Sequence, residues 1–305
     1  MSEARRERGI GLVDMLVALA LGLVVSLAAA ATLLLANRDF AQHAASARID
    51  DGGRYAIELV GQALRQAAWA DLEGGAPAPE GEAGIDGLDN RTLPRTAAGM
   101  ALAQPAAAVH GSDVLAVRFG GLGEAGGDGS VVDCAGFAVG AGEQGWSIFY
   151  VGIADDGEAE LRCKYRARSG NWSADAIVRG VDSFQVLYGV DMDGDGIPDR
   201  YLNASAVTAL DAALPLAGAT PAERAHDLRR NTHWKRVVAV RLALLLHGEA
   251  RSRSGALPAR YDLFGETAGA DDPGTVVDEA VLPEQLRHRA RRLFEQSVLL
   301  RNRSG

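Results

Sequence analysis

From Ile10 to Ala36 the chain carries one ionisable side chain, Asp14, in an otherwise apolar run. Roughly 20 apolar residues suffice to cross the hydrocarbon of a bilayer. Whatever else this chain folds into, it must house a membrane-length helix. The run is preceded by the basic, polar leader Arg5-Arg6-Glu7-Arg8-Gly9. An ordinary secretory signal places its apolar core ahead of a small-residue cleavage site, so the core leaves with the leader. Here a cut between Gly9 and Ile10 falls ahead of the core, and the membrane segment stays on the mature chain. Arg5, Arg6 and Arg8 satisfy the positive-inside tendency, which leaves the bulk of the chain across the inner membrane.

With 305 residues, 48% apolar and 23% charged, the chain can bury a substantial core, in one globular domain beyond the helix. The formal charge is −9. Three leader arginines against Glu3 and Glu7 make the leader +1, so the remainder sits at −10. That balance argues against phosphate-backbone binding as the main task. Cys134 and Cys163 both lie in the exported part, where an oxidising compartment favours a disulfide between them. Two buried thiols on strands are the other reading, and spacing does not separate the two.

The helix is expected to continue past Asn37. Tyr55, Leu59, Ala63 and Gln66, with Ile57, Val60, Leu64 and Ala67, recur at spacings of three and four, which is an amphipathic pattern. Residues 1–9 read as leader, 10–36 as transmembrane helix, 37–70 as its amphipathic continuation and 71–305 as a β-rich domain. Gly52-Gly53 interrupts the pattern and is expected to bend or loosen the helix there. Glu73 to Gln104 reads as a long surface connection. Asp113–Phe119, Val131–Val139, Trp146–Ile153, Ala159–Tyr165, Phe184–Val190 and Arg236–Leu246 read as strands of an antiparallel sheet. Arg251 to Gly274 reads as loop, and Arg291 to Arg303 fits helix or strand on periodicity alone.

Asp191, Asp193, Asp195 and Asp199, with Gly194 and Gly196 between them, resemble calcium loops of the EF-hand-like and thrombospondin-repeat type. Alternating Asp on a tightly turning backbone points several oxygens inward, and Ile197 would add its carbonyl. The position that closes an EF-hand with a bidentate Glu is Leu202, so an outside acid or water must complete the shell. A solvated Asx-rich turn is the alternative. No cofactor is required, and Ca2+ is the one ion this loop suggests. Enzyme signatures are sparse. Gly121-x-Gly123-x-x-Gly126 has the dinucleotide spacing but runs into Gly127-Asp128-Gly129 where a helix should begin, so it reads as a hairpin connection. The six histidines lack His-Glu-x-x-His spacing. His233 beside Trp234 reads as a packed pair, and Trp69, Trp146, Trp172 and Trp234 as core or interface anchors.

The amino end resembles the type III signal of type IV pilins and type II secretion pseudopilins: Gly9, a cut, the large apolar Ile10, three further residues, then an acid. Asp14 stands where that pattern has Glu. Gly53-Arg54-Tyr55-Ala56-Ile57-Glu58-Leu59 with Leu64-Arg65, the loop from Tyr188 to Gly196, and Arg291-Arg292-Leu293-Phe294 through Leu300-Arg301-Asn302 narrow the likeness to the PilW family of type IV pilus minor pilins. The resemblance implies an α+β pilin-like fold, a long N-terminal helix packed on an antiparallel sheet, with a strand at the tail. It implies a non-enzymatic assembly protein, cleaved after Gly9 by a prepilin peptidase and methylated on the Ile10 amine. Asp14 would pair with that amine, on a neighbouring subunit or its own, because an unpaired carboxylate in lipid is costly. Implied partners are other minor pilins, the major pilin, a tip adhesin and inner-membrane lipid, with no direct nucleic-acid contact. Implied roles lie in pilus initiation, adhesion, twitching or DNA uptake, from a single-pass inner-membrane subunit that moves into the pilus. GspJ-type pseudopilins of type II secretion share these features. A membrane-tethered calcium-binding or hydrolytic periplasmic domain is the alternative of another class.

Overall fold

The computed structural model describes residues 11–68, 82–105, 110–250, 252–253, 257–265 and 272–302, apart from the side chains of residues 38, 41 and 42. The leader, Gly9, Ile10 and Trp69 lie outside these. The chain divides into two compact units, residues 1–47 and 48–305.

Helix α1 spans Leu12–Gln66. In the first unit its apolar stretch, Leu12–Asn37, is long enough to cross a membrane and is exposed throughout. In the second unit the 3.6-residue repeat becomes a buried stripe. Ala56, Ile57, Val60, Ala63, Leu64 and Ala67 turn inward while Tyr55 stays exposed. Each large side chain so buried contributes about 1.5–3 kcal/mol. The helix runs unbroken through Gly52-Gly53, so the expected loosening does not occur. It ends where Ala68 adopts a left-handed φ of 55°.

Two antiparallel sheets form the core with α1. One holds β1 (Ile85–Leu88), β4 (Val114–Gly120), β5 (Gln144–Ile153), β6 (Ala159–Arg166) and β7 (Trp172–Arg179), in the order β1-β4-β5-β6-β7. The other holds β8 (Val181–Val190), β9 (Arg200–Leu202), β10 (Val237–His247) and β13 (Arg291–Leu299), in the order β13-β10-β8-β9. Two small pairs flank them: β2 (Arg91–Thr92) with β3 (Gln104–Pro105), and β11 (Arg260–Asp262) with β12 (Val276–Asp278). Helices α2 (Ala204–Ala212) and α3 (Pro221–Asn231) follow β9.

Alternation along the strands sorts side chains into three apolar layers. Leu115, Val117, Phe149, Val151 and Leu161 meet Phe184, Val186, Leu242, Leu244 and the stripe of α1. On the far side of the second sheet, Leu187, Ala243 and Leu245 are covered by Leu263, Phe264, Val277 and Leu282. On the far side of the first, Ile148, Tyr150 and Ala174 lie under Leu93. That cover is bolted down by four bonds: Thr92 Oγ1 to the Val151 carbonyl at 2.6 Å, Lys164 Nζ to the Pro94 carbonyl at 2.9 Å, and two from the Arg95 guanidinium to the Ala174 carbonyl. Strands buried on both faces read as nearly continuous apolar runs, and all ten residues of β8 are buried.

The two sheets join at the free edge of β8. Asp113 donates its backbone N–H to the Phe184 carbonyl at 2.8 Å, the Phe184 N–H bonds Ser112 Oγ at 3.1 Å, and the Val186 N–H bonds Asp113 Oδ2 at 2.9 Å. Residues 112–113 thus continue the ladder that β9 leaves short.

Several expectations need correction. Val131–Val139 is not a strand but a tight loop with one bridge, Val132 to Ala138. Asp133 Oδ1 accepts the N–H groups of Ala135 and Phe137, and Gly136 turns at a φ of 83°. The stretch read as a long surface connection contributes β1 and β2 and buries Ile85 and Leu93. The loop expected from Arg251 contains β11 and the buried Leu263 and Phe264. The tail is a strand, as the family resemblance implies, paired along β10 from Ala239–Leu299 to His247–Arg291. The Gly121–Gly129 stretch connects β4 to β5, with Gly123, Gly126, Gly127 and Gly129 at positive φ.

Candidate functional site

Asp14 lies in the first turn of α1, and Oδ2 accepts the Gly11 N–H at 3.2 Å. The first N–H groups of a helix lack intrahelical partners and face the positive end of its dipole, so an acid is favourable there. Beyond it, Leu12 to Asn37 offers a surface of Leu, Val and Ala with nothing covering it in the single chain. Chemically this is an apolar rod long enough to cross a membrane, with one negative group near its start.

The acidic loop follows β8. Asp191 is buried, while Asp193 and Asp195 are exposed, and one oxygen from each lies within 4.8 Å of the others. The backbone wraps these carboxylates. Gly194 and Gly196 donate to Asp191 at 2.5 and 2.7 Å, Asp195 N–H to Asp193 at 3.1 Å, and Ile197 N–H to Asp195 at 2.7 Å. Gly194 and Gly196 both sit at a φ of 88°. Asp199 stands outside the group and accepts the Met192 N–H at 2.6 Å, and Ile197 exposes its side chain. Three carboxylates at this separation suit a hard cation with oxygen ligands.

Cys134 and Cys163 form a disulfide with Cα atoms 5.8 Å apart, tying the 131–139 loop to β6. Trp146 packs edge-on to Trp172, and Trp234 edge-on to Tyr188 at 4.8 Å between ring centres. His233 Nδ1 lies 2.8 Å from Asp211 Oδ1, beside the short turn that starts β10.

A buried charge network was not visible in the sequence. Asp182 Oδ2 accepts Arg291 Nε at 2.5 Å, and its Oδ1 lies 3.0 Å from His247 Nδ1. His247 Nε2 reaches Glu158 of the β5–β6 turn at 2.6 Å. Arg291 also reaches Glu279 at 2.8 Å. Burial alone would raise the Asp182 carboxyl, but bonding and charge from His247 and Arg291 outweigh it and hold it below the ordinary carboxylate range. These residues come from five separate segments, and no local pattern marks them. The network links the two sheets and the tail strand.

A family model described as Type IV Pilus-assembly protein W matches residues 148–302. Among solved structures, a type IV-like pilin from Thermus thermophilus is similar over 85% of this chain and 99% of that one, at 14% identity and a TM-score of 0.39. No curated protein matches the chain. The family match takes in β6 to β13 and most of β5, a little over half of the 305 residues, and the chain belongs to the Type IV Pilus-assembly protein W family.

Proposed function

We propose that this chain is a minor pilin that enters the type IV pilus at its initiating or tip complex, and acts by assembly instead of catalysis. The observation that carries the reading is the pairing of a bare apolar helix, with Asp14 in its first turn, with a β-domain belonging to a pilus-assembly family. Before assembly the helix stores the subunit in the inner membrane, with the domain on the periplasmic side. A prepilin peptidase cuts between Gly9 and Ile10. The Asp14 carboxylate then docks on the cationic Ile10 amine of a neighbour, because a subunit slipped along the axis would leave a charge stranded in lipid. The β-domain contacts other minor pilins, the major pilin or an adhesin, through which the subunit serves attachment, twitching or DNA uptake. The acidic loop holds Ca2+ and stiffens the segment between β8 and β9.

Mass spectrometry of the mature chain from cells that carry the peptidase tests this. The expected product begins at a methylated Ile10. A chain that retains Met1 in such cells, or that is cut after the apolar stretch, overturns it.

A further inference from the structure

We propose that His247 is an acid-closed latch between the two sheets: doubly protonated, it holds the β5–β6 turn to β10, and neutral, it releases Glu158. The site lies where the chain crosses from one sheet to the other. Gly180, the residue between β7 and β8, donates its N–H to the Ala159 carbonyl at 2.9 Å and accepts the His247 N–H at 2.7 Å. A φ of 77°, and a Cβ that would lie 2.5 Å from the His247 carbonyl oxygen, require glycine there. The crossover thus pins the last residue of β10 beside the start of β8. From that position the His247 side chain, 4% exposed, reaches across to the β5–β6 turn of the other sheet.

The ring meets a carboxylate at each nitrogen: Asp182 Oδ1 lies 3.0 Å from Nδ1, and Glu158 Oε1 lies 2.6 Å from Nε2. An ionised carboxylate only accepts, and a neutral imidazole carries a single N–H, so both contacts are hydrogen bonds only when the ring is an imidazolium. Histidine is the side chain whose charge ordinarily changes between about pH 5 and 8. The two contacts are not equivalent. Arg291 Nε bonds the other oxygen of Asp182 at 2.5 Å. Burial pushes the Asp182 carboxyl up, but bonding and charge from His247 and Arg291 outweigh it and keep the group ionised. The proton that a neutral ring retains therefore stays on Nδ1, and the Nε2 lone pair is left facing the Glu158 oxygen. Glu158 then has a second partner: it is 33% exposed, and Arg289 Nη1 lies 3.5 Å from the same oxygen. The other charged groups around the ring are engaged elsewhere. Glu279 bonds Arg291 at 2.8 Å and also Arg253, while Asp156 of the same turn bonds Arg179. His110, close enough to feel Asp182, Arg291 and His247, is pushed toward its neutral form by burial.

The test is amide hydrogen exchange on the full chain in detergent, read over the β5–β6 turn and corrected for the intrinsic rise of exchange with pH. The Ala154 N–H, which donates to the Glu158 carbonyl at 2.9 Å, should lose about tenfold of its protection between about pH 5 and pH 8. Glu158→Gln should abolish that dependence, because a side-chain amide accepts from the imidazolium and donates to the neutral ring. His110→Asn, which suits the left-handed φ of 52° at that position, should leave the dependence in place. Nitrogen-15 spectra of histidine-labelled protein give a second readout. The ring whose signals move in Glu158→Gln should carry protons on both nitrogens at the acid end of the range and on Nδ1 alone at the alkaline end. Protection at the turn that stays flat with pH in the wild type, or that falls equally in Glu158→Gln, overturns the latch. So does loss of the response in His110→Asn, or a neutral ring that keeps its proton on Nε2.

Discussion

The ring of Phe294 occupies the space that Gly53 leaves by having no side chain: a Cβ at Gly53 would lie 2.2 Å from Phe294 Cε2. The tail strand therefore seats on α1 through a notch. Gly61 does the same for Gln296, whose side-chain oxygen would be 2.6 Å from a Cβ there. On helix propensity alone Gly53→Ala should stabilise by about 1 kcal/mol. We expect the reverse, a net loss of roughly 1–3 kcal/mol from overpacking, read by thermal unfolding of the full chain in detergent. A second change, Phe294→Leu, should recover part of the loss.

Asp14→Ala should leave cleavage after Gly9 largely intact while lowering the subunit's abundance in sheared pili by roughly tenfold or more, the equivalent of about 1.4 kcal/mol at the docking step. Asp14→Glu should retain incorporation, since charge is kept and only reach grows. Immunoblots of sheared fractions against membrane fractions supply the measurement. Wild-type abundance of the Ala variant would remove the pairing role.

Asp182→Asn should cost roughly 3–5 kcal/mol, because it leaves Arg291 and His247 facing a buried site without their shared carboxylate. The pH dependence has a definite sign. A carboxyl held below its unfolded value contributes stability that is present above about pH 4 and is lost as pH falls through its lower folded value. Acid unfolding of the wild type should therefore steepen below pH 4, and the Asn variant should show a shallower slope there. Parallel slopes would mean that Asp182 does not report the network.

How much of this was legible depended on whether the signal was local. The apolar run, the amphipathic half of α1 and the strands β4, β5, β6, β8 and β10 announce themselves by periodicity, because burial on one or both faces acts on neighbours in sequence. Val131–Val139 misled because its apolar residues serve a turn held by Asp133 and the disulfide. Strand β7 carries no clear signal because Trp172-Ser173-Ala174-Asp175 reads as polar, as suits a strand at the edge of its sheet among the described residues. Helix α3 does carry a local signal, the capping box of Thr220 and Glu223 with Pro221 at its first turn, set in an Ala-rich stretch that masks it. Of the sites, Asp14 and the Asp191 loop were readable as motifs. The Asp182 network was not, because its members come from separate strands and turns that meet only in the folded chain.

Helix α1 and the end of the chain are also tied by Asn302, which donates to the Ala67 carbonyl across 235 residues of sequence. A ribosome adding about 5–20 residues per second takes roughly 12–50 seconds to cover that distance. Throughout that delay the greasy stripe from Ala56 to Ala67 has no tail strand to lean on. We expect newly made subunits to need shelter, from the lipid surface or a holding chaperone, until residues 291–302 have been made. A nonsense codon just ahead of β13 should then be as damaging as one near the middle.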